Sequence, residues 1–352
     1  MTLTERINAY ITLGKFLSQF AEYPPKKLEN IPHNELFFDG MLHQLKLAEE
    51  HNAWFNKENT RFAINSWAEA LKVDNLEKWV SSYKLDEVSP KTVAIIMAGN
   101  IPLVGFHDFL SVLITGHNVI VKQSSKDKHL LPFLAKYLEQ VEPGFQGRIN
   151  FTEEKLSDYD AIIATGSDNT ARYFEYYFKS KPHIIRKNRN SVAILTGNEN
   201  KSQLKSLGED IFRYFGLGCR NVSKLFVPND YNFTGLFEAV YDWQQLMDIH
   251  KYSNNYDYNK AVYLMSEFKF LDNGFFMLKE DESYSSPIAT CFFEYYENQD
   301  SLKSKLQEDA DKIQCLVANG YSENEIDFGQ TQNPQLWDYA DGVDTVSFLL
   351  KI

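Results

Sequence analysis

The spacing of apolar residues along this chain changes at Pro90. Upstream of it, Met41 to Ala53 and Phe62 to Tyr83 carry apolar residues three and four positions apart, which gathers them on one face of a helix. Strand alternation is absent there, and Pro24-Pro25 and Pro32 punctuate the region. Residues 1–89 are therefore expected to form a helical N-terminal region packed on the domain that follows.

Downstream the pattern becomes strand, turn, helix. Val93 to Met97 is a continuous apolar run of strand length, as for a strand covered on both faces. Ala98-Gly99-Asn100 turns the chain. Pro102 is expected at the first helical position, where its missing N–H costs nothing. Leu103, Phe106, Leu110, Leu113 and Ile114 repeat at helical spacing, and Gly116 supplies the stop. Asn118 to Lys122 is the next strand. Strand, helix and strand in such short succession form a βαβ unit, which requires a parallel sheet.

The alternation continues with a helix over His129 to Val141, a strand over Asp160 to Ala164 and a helix over Ala171 to Phe178. Further strands are expected at His183 to Arg186 and Ser191 to Leu195. A doubly wound parallel sheet over 90–197 follows from this order. Beyond it, helices are expected at Gln203 to Tyr214, Phe233 to His250 and Leu302 to Lys312. Strands at Lys224 to Val227, Ala289 to Tyr296 and Ile313 to Ala318 suit a second α/β domain over 198–325, leaving 326–352 as a return segment.

Composition narrows the class. A hydrophobic share of 43% with 24% charged residues belongs to globular proteins, and a net charge of −12 opposes non-specific binding to nucleic acid or anionic membranes. No run reaches the roughly 18 apolar residues of a spanning helix, and the N-terminus lacks a secretory pattern. Three scattered cysteines fit neither a disulfide framework nor a zinc site, and no two histidines pair at helical spacing, so no metal is expected. A reducing cytoplasm is the expected compartment.

Cys219 differs from the other two cysteines. Cys291 and Cys315 sit in apolar strand-like runs, where cysteine behaves as a small hydrophobe. Cys219 lies in the turn Gly216-Leu217-Gly218-Cys219-Arg220-Asn221, a setting that favours a reactive thiolate. A lone loop cysteine is also compatible with a structural role, so both stay open. The same glycines do not form a dinucleotide fingerprint, since Asn221 occupies the third position and a helix precedes them. The turns Gly99-Asn100 and Thr165-Gly166-Ser167 follow carboxyl ends of parallel strands, where such sheets bind ligands. The second opens a helix and suits a phosphate, or is an ordinary turn capped by Ser167 or Asp168. The basic run Arg186-Lys187-Asn188-Arg189-Asn190 is either a phosphate site or a solvated loop.

Together these segments resemble the aldehyde dehydrogenase superfamily, most closely its fatty acyl-CoA reductase branch, the family of the reductase in bacterial bioluminescence. The matching elements are Asn100-Ile101-Pro102-Leu103, the strand from Thr115 through Gly116 to Lys122, Thr165-Gly166-Ser167, and Cys219-Arg220-Asn221-Val222-Ser223-Lys224. The C-terminal run Asp338 to Phe348 resembles the reductase branch as well.

The resemblance implies an aldehyde dehydrogenase-like α/β fold, with 90–197 binding a nicotinamide dinucleotide and 198–325 carrying the catalytic thiol. It implies that Cys219 attacks an acyl-CoA carbonyl while the Asn100 amide and the Cys219 backbone N–H hold the oxyanion. Lys122 would meet the adenosine ribose or its phosphate, and Thr165, Gly166 and Ser167 the pyrophosphate. NADPH is the implied cofactor, with NADH as the alternative; a homo-oligomer and an acyl-donor protein partner are implied too. Aldehyde-oxidising relatives carry a glutamate that activates water, but Ile185 to Ser191 contains no acid, which disfavours release of a free acid. An aldehyde dehydrogenase forming free acid, or a non-catalytic acyl-transfer subunit, are the alternative readings.

Overall fold

A computed structural model describes every residue except Glu87, and the side chain of Asp168 also lies outside the description. The chain divides into two compact units, one of Met1–Lys187 with Gln335–Ile352 and one of Asn188–Pro334. The first break falls before the strand at 190–194 rather than after it, and the second falls beyond 326.

In the first unit, four helices come first: α1 (Leu3–Ser18), α2 (Asn34–His51), α3 (Lys57–Ala70) and α4 (Val73–Val80). Helix α1 starts at a capping box, with Glu5 N–H donating to Thr2 Oγ1 at 3.2 Å and Thr2 N–H to Glu5 Oε2 at 2.7 Å. Its Ala9, Tyr10, Leu13, Phe16 and Leu17 are buried, the three-and-four spacing that makes one apolar face. Then follow β1 (Thr92–Ile96), α5 (Phe106–Ile114), β2 (Asn118–Lys122), α6 (Leu130–Val141), β3 (Ile149–Phe151), β4 (Ala161–Thr165), α7 (Asp168–Phe178) and β5 (His183–Arg186). The strands form an all-parallel sheet in the order β3-β2-β1-β4-β5. The chain therefore winds outward from β1, then resumes on its other side at β4. Val93, Ala94 and Ile95 are buried, which is why the strand reads as an unbroken apolar run. The helical region shares one core with this sheet, where Phe16 stacks on Tyr137 of α6.

Helix α5 starts later than its periodicity predicts. Residues 102–105 form a turn with Leu103 at φ 58°, so Pro102 precedes the helix instead of opening it. The basic run also resolves differently. Arg186 is buried and pairs with Asp108 through Nη2 to Oδ1 at 2.6 Å and Nε to Oδ2 at 3.1 Å. Its Nη1 donates to Ala340 O at 2.8 Å and its Nη2 to Thr345 Oγ1 at 2.9 Å. This fork ties β5 to α5 and to the returning C-terminal segment, so Arg186 is structural rather than a phosphate ligand. Lys187 pairs with Glu175 on the surface at 2.8 Å.

The second unit contains β6 (Asn190–Ile194), α8 (Lys201–Phe212), β7 (Val222–Pro228), α9 (Thr234–Ala239), α10 (His250–Met265), β8 (Phe270–Asp272), β9 (Met277–Glu280), β10 (Thr290–Tyr296), α11 (Gln299–Glu308) and β11 (Ile313–Val317). Its sheet runs β11-β6-β7-β10-β9-β8, parallel except for the β8–β9 hairpin. Strand β6 pairs with β7 and β11, which moves it out of the first sheet where the sequence pattern had placed it. The single helix expected over Phe233 to His250 is α9 followed by a 3-10 stretch, Tyr241–Asp248. Within Gln335–Ile352 the last helix is α12 (Thr345–Leu349). Among the described residues no helix is long and apolar enough to cross a membrane.

Replacing Asp108 with Ala leaves the Arg186 charge buried without its carboxylate. Urea denaturation should show a loss of about 3–5 kcal/mol, and Asp108→Leu with Arg186→Met should recover most of it. Equal stability of Asp108→Ala and wild type would refute the assigned role.

Candidate active site

The carboxyl ends of β1, β2 and β4 lie side by side in the first unit, with Ile96 in register with both Lys122 and Ala164. The Asn100 turn, Lys122 and Thr165-Gly166-Ser167 are thus brought to one end of three adjacent strands. The winding reverses between β1 and β4, and such a switch point opens a crevice. Lys122 is half-buried and donates from Nζ to Glu154 O at 2.9 Å. Ser167 caps α7, its hydroxyl lying 3.0 Å from Thr170 Oγ1. The Gly166 N–H donates to Arg186 O at 3.2 Å, so it serves the sheet edge. A Cβ on Gly166 would come within 3.0 Å of Thr170 and Phe174, and that crowding accounts for glycine there.

Gly99 has an equally specific reason. A Cβ there would lie 2.6 Å from the Ser124 side chain and 3.2 Å from Asp127 N. The turn after β1 therefore rests directly on the loop after β2.

Cys219 stands in the second unit and is exposed, whereas Cys291 and Cys315 are buried. Burial pushes the Cys291 thiol far above its ordinary range, which leaves it inert near neutral pH. The loop carrying Cys219 begins where α8 ends. Tyr214 (φ 55°), Phe215 (φ 61°) and Gly216 (φ 74°) adopt left-handed backbone in succession. Two non-glycine residues in this region cost about 1–2 kcal/mol each, so the surroundings must hold the turn.

Asn221 does much of that holding. Its Nδ2 donates to Arg213 O at 2.8 Å and to Asp210 O at 3.1 Å, satisfying carbonyls left open at the end of α8. Its Oδ1 accepts the Gly218 N–H at 2.8 Å. Ser191 Oγ donates to Cys219 O at 2.9 Å, and Arg220 Nε donates to Thr331 O at 2.5 Å. The Gly218 N–H is therefore spent inside the loop.

Asp210, fully buried on α8, supports the same loop from below. It accepts from Gly329 N–H at 2.6 Å, Thr331 N–H at 3.0 Å and Thr331 Oγ1 at 2.8 Å. Thr331 in turn receives Arg220. Sequence reasoning passed over Asp210 and Ser191, since an acid in a helix and a serine in a strand carry no local mark. Asn221 was visible as the residue that breaks the glycine fingerprint. Among the described residues no cluster able to hold a metal ion occurs.

Burial raises the Asp210 carboxyl to about 6, although three donors oppose the rise. A folded-state value above the unfolded one means that its contribution is full below about pH 4 and is lost as pH climbs through 6. Asp210→Asn mimics the protonated acid. The stability of wild type relative to this variant, from denaturation at pH 4 to 8, should fall by up to about 3 kcal/mol. A difference independent of pH would contradict this assignment.

The fold matches solved aldehyde dehydrogenases. KauB from Pseudomonas aeruginosa superimposes with a TM-score of 0.62 at 14% identity, over 90% of this chain and 72% of that one. The P. syringae indole-3-acetaldehyde dehydrogenase AldA, in complex with NAD+ and IAA, gives 0.62 at 12%, over 92% and 73%. An E. coli NADP-dependent enzyme gives 0.63 at 12%, over 92% and 74%. No curated protein sequence matches. At such identities these likenesses establish the aldehyde dehydrogenase fold alone. The family model "Acyl-CoA reductase (LuxC)" matches residues 15–235, more than half of the sequence. With this match spanning the Asn100 turn, Lys122, the Thr165 turn and Cys219, the chain belongs to the acyl-CoA reductase (LuxC) family of oxidoreductases.

Proposed function

We propose that the chain reduces an acyl-CoA, probed first with fatty acyl thioesters, to the aldehyde through an acyl-enzyme on Cys219. The observation that carries this reading is the contrast among the cysteines: one exposed thiol on a loop fixed by Asn221, Ser191 and Arg220, and two buried thiols. The Cys219 thiolate forms a bond to the thioester carbonyl carbon, and the electron pair moves onto the carbonyl oxygen. The Asn100 amide and the Cys219 N–H stabilise that oxygen. When the carbonyl re-forms, the bond to the CoA sulfur breaks, and CoA departs as the thiol after taking up a proton.

The first unit suits a nicotinamide dinucleotide. Ser167 caps a helix that opens toward the ligand end of the sheet, and Lys122 brings a cation to the same end. Thr165, Gly166 and Ser167 would hold the pyrophosphate, and Lys122 the adenosine ribose or its 2′-phosphate, which favours NADPH over NADH. When bound, the cofactor would supply the hydride that, together with a proton taken up from water, converts the Cys219 thioester to a thiohemiacetal. Cys219 then leaves from that carbon as the thiol, and the aldehyde is released. The segment Ile185 to Ser191 offers no carboxylate to activate water. Exchange with CoA rather than hydrolysis follows.

Incubating the protein with radiolabelled acyl-CoA alone should label Cys219 and release free CoA thiol stoichiometrically. Cys219→Ala should abolish labelling and lower turnover by at least about 10⁴-fold. Labelling that survives the substitution would eliminate the mechanism, and free acid as the main product would favour the aldehyde dehydrogenase alternative.

A further inference from the structure

Asp127 is a carboxylate that the mechanism above does not use. It sits in the loop after β2, is 9% exposed, and accepts the Leu103 N–H on Oδ2 at 3.0 Å. Its Oδ1 meets no hydrogen-bond donor among the described residues. A buried acid with half its acceptors unused is costly, so its retention calls for a reason. Burial raises this carboxyl to about 6.

Its bonding partner is informative. Leu103 closes the Asn100-Ile101-Pro102-Leu103 turn and is held at φ 58°, a conformation that leucine avoids. The Asp127 carboxylate accepts the amide that this twist presents. On the other side of the contact, the space that a Gly99 Cβ would need is filled by Ser124 and the Asp127 backbone. The loop itself is anchored. His51 Nε2 lies 2.6 Å from Ser125 O, Asn52 Nδ2 donates to Lys126 O at 3.2 Å, and Gln123 Nε2 donates to Asp127 O at 3.1 Å. A line of contacts thus runs from the end of α2, through residues 123–127, to the Asn100 turn.

We propose that Asp127 is a positioning residue for Asn100: it fixes the turn that aims the oxyanion-binding amide, and the N-terminal helices brace it through His51 and Asn52. The proposal rests on the oxyanion role given to Asn100 above. A donor set loosened by a fraction of an ångström stabilises the tetrahedral oxygen less while leaving thioester binding intact.

The test follows the single-turnover acylation of Cys219 by radiolabelled acyl-CoA in the full chain. Asp127→Ala should slow acylation about 10- to 100-fold with KM for acyl-CoA within about 2-fold of wild type. Asp127→Asn keeps an oxygen for the Leu103 N–H and should stay within about 3-fold. In an Asn100→Ala background, adding Asp127→Ala should cost less than about 2-fold more, because the residue then has nothing to aim. An Asp127→Ala variant that acylates at the wild-type rate, or whose loss is the same in both backgrounds, overturns the proposal. Should Asn100→Ala itself acylate normally, the oxyanion reading falls and takes this one with it, an outcome distinct from the failure of Asp127 alone. If Asp127→Ala does not fold, Gly99→Ala decides: prying the same two loops apart should slow acylation about 10-fold, and a wild-type rate overturns the proposal.

Discussion

An exposed thiol on a tight loop keeps one position only if the loop backbone stays put, and in this chain that constraint falls on the side chain of Asn221. Its amide is shared between the spent end of α8 and the Gly218 N–H, so one residue caps the helix and closes the loop. The left-handed succession at Tyr214, Phe215 and Gly216 is tolerable only because the following loop cannot relax. Ser191, Arg220 and, through Thr331, Asp210 pull on the same few peptide groups from different elements. The thiol of Cys219 is exposed on this loop.

The first unit meets a comparable demand by different means. Its central strands are largely buried, so the polar Asn100 turn, Lys122 and Thr165-Gly166-Ser167 lie beyond or at their carboxyl ends. There the turns cannot be long, because β1, β2 and β4 are neighbours and their loops touch. Glycine at 99 is the result of that crowding, whereas glycine at 166 answers to Thr170 and Phe174 of α7, the helix it leads into.

Much of this architecture was legible in the sequence because its strongest signals are periodic. The alternation of buried runs with helical spacing over 90–195 needs no tertiary information, and it gave the parallel sheet. The errors have physical causes. Leu103 shares the apolar spacing of α5 but is bent away from it by a left-handed turn, which periodicity cannot register. Helix α10 escaped notice because Tyr252, Tyr256, Asn259 and Tyr263 form its buried face, and a face of tyrosine and asparagine does not look apolar. Arg186 looked like part of a solvated basic run until its partner, Asp108, arrived from far along the chain. Asp127 and Asp210 were invisible for the same reason, since their meaning lies in donors far along the chain, mostly backbone amides. Strand β6 was assigned to the wrong sheet because adjacent strands in sequence usually pair, and here the chain changes sheets between β5 and β6.

The discontinuity of the first unit bears on how the molecule is made. Residues 188–334 are inserted between β5 and the segment that completes that unit. During synthesis the insert can emerge and fold whole, while its host still waits for Ala340 and Thr345 to cover the guanidinium of Arg186. The buried fork of Arg186 is complete only with residues from both sides of the insert, so the unit begun first in the sequence is closed by chain that follows the second.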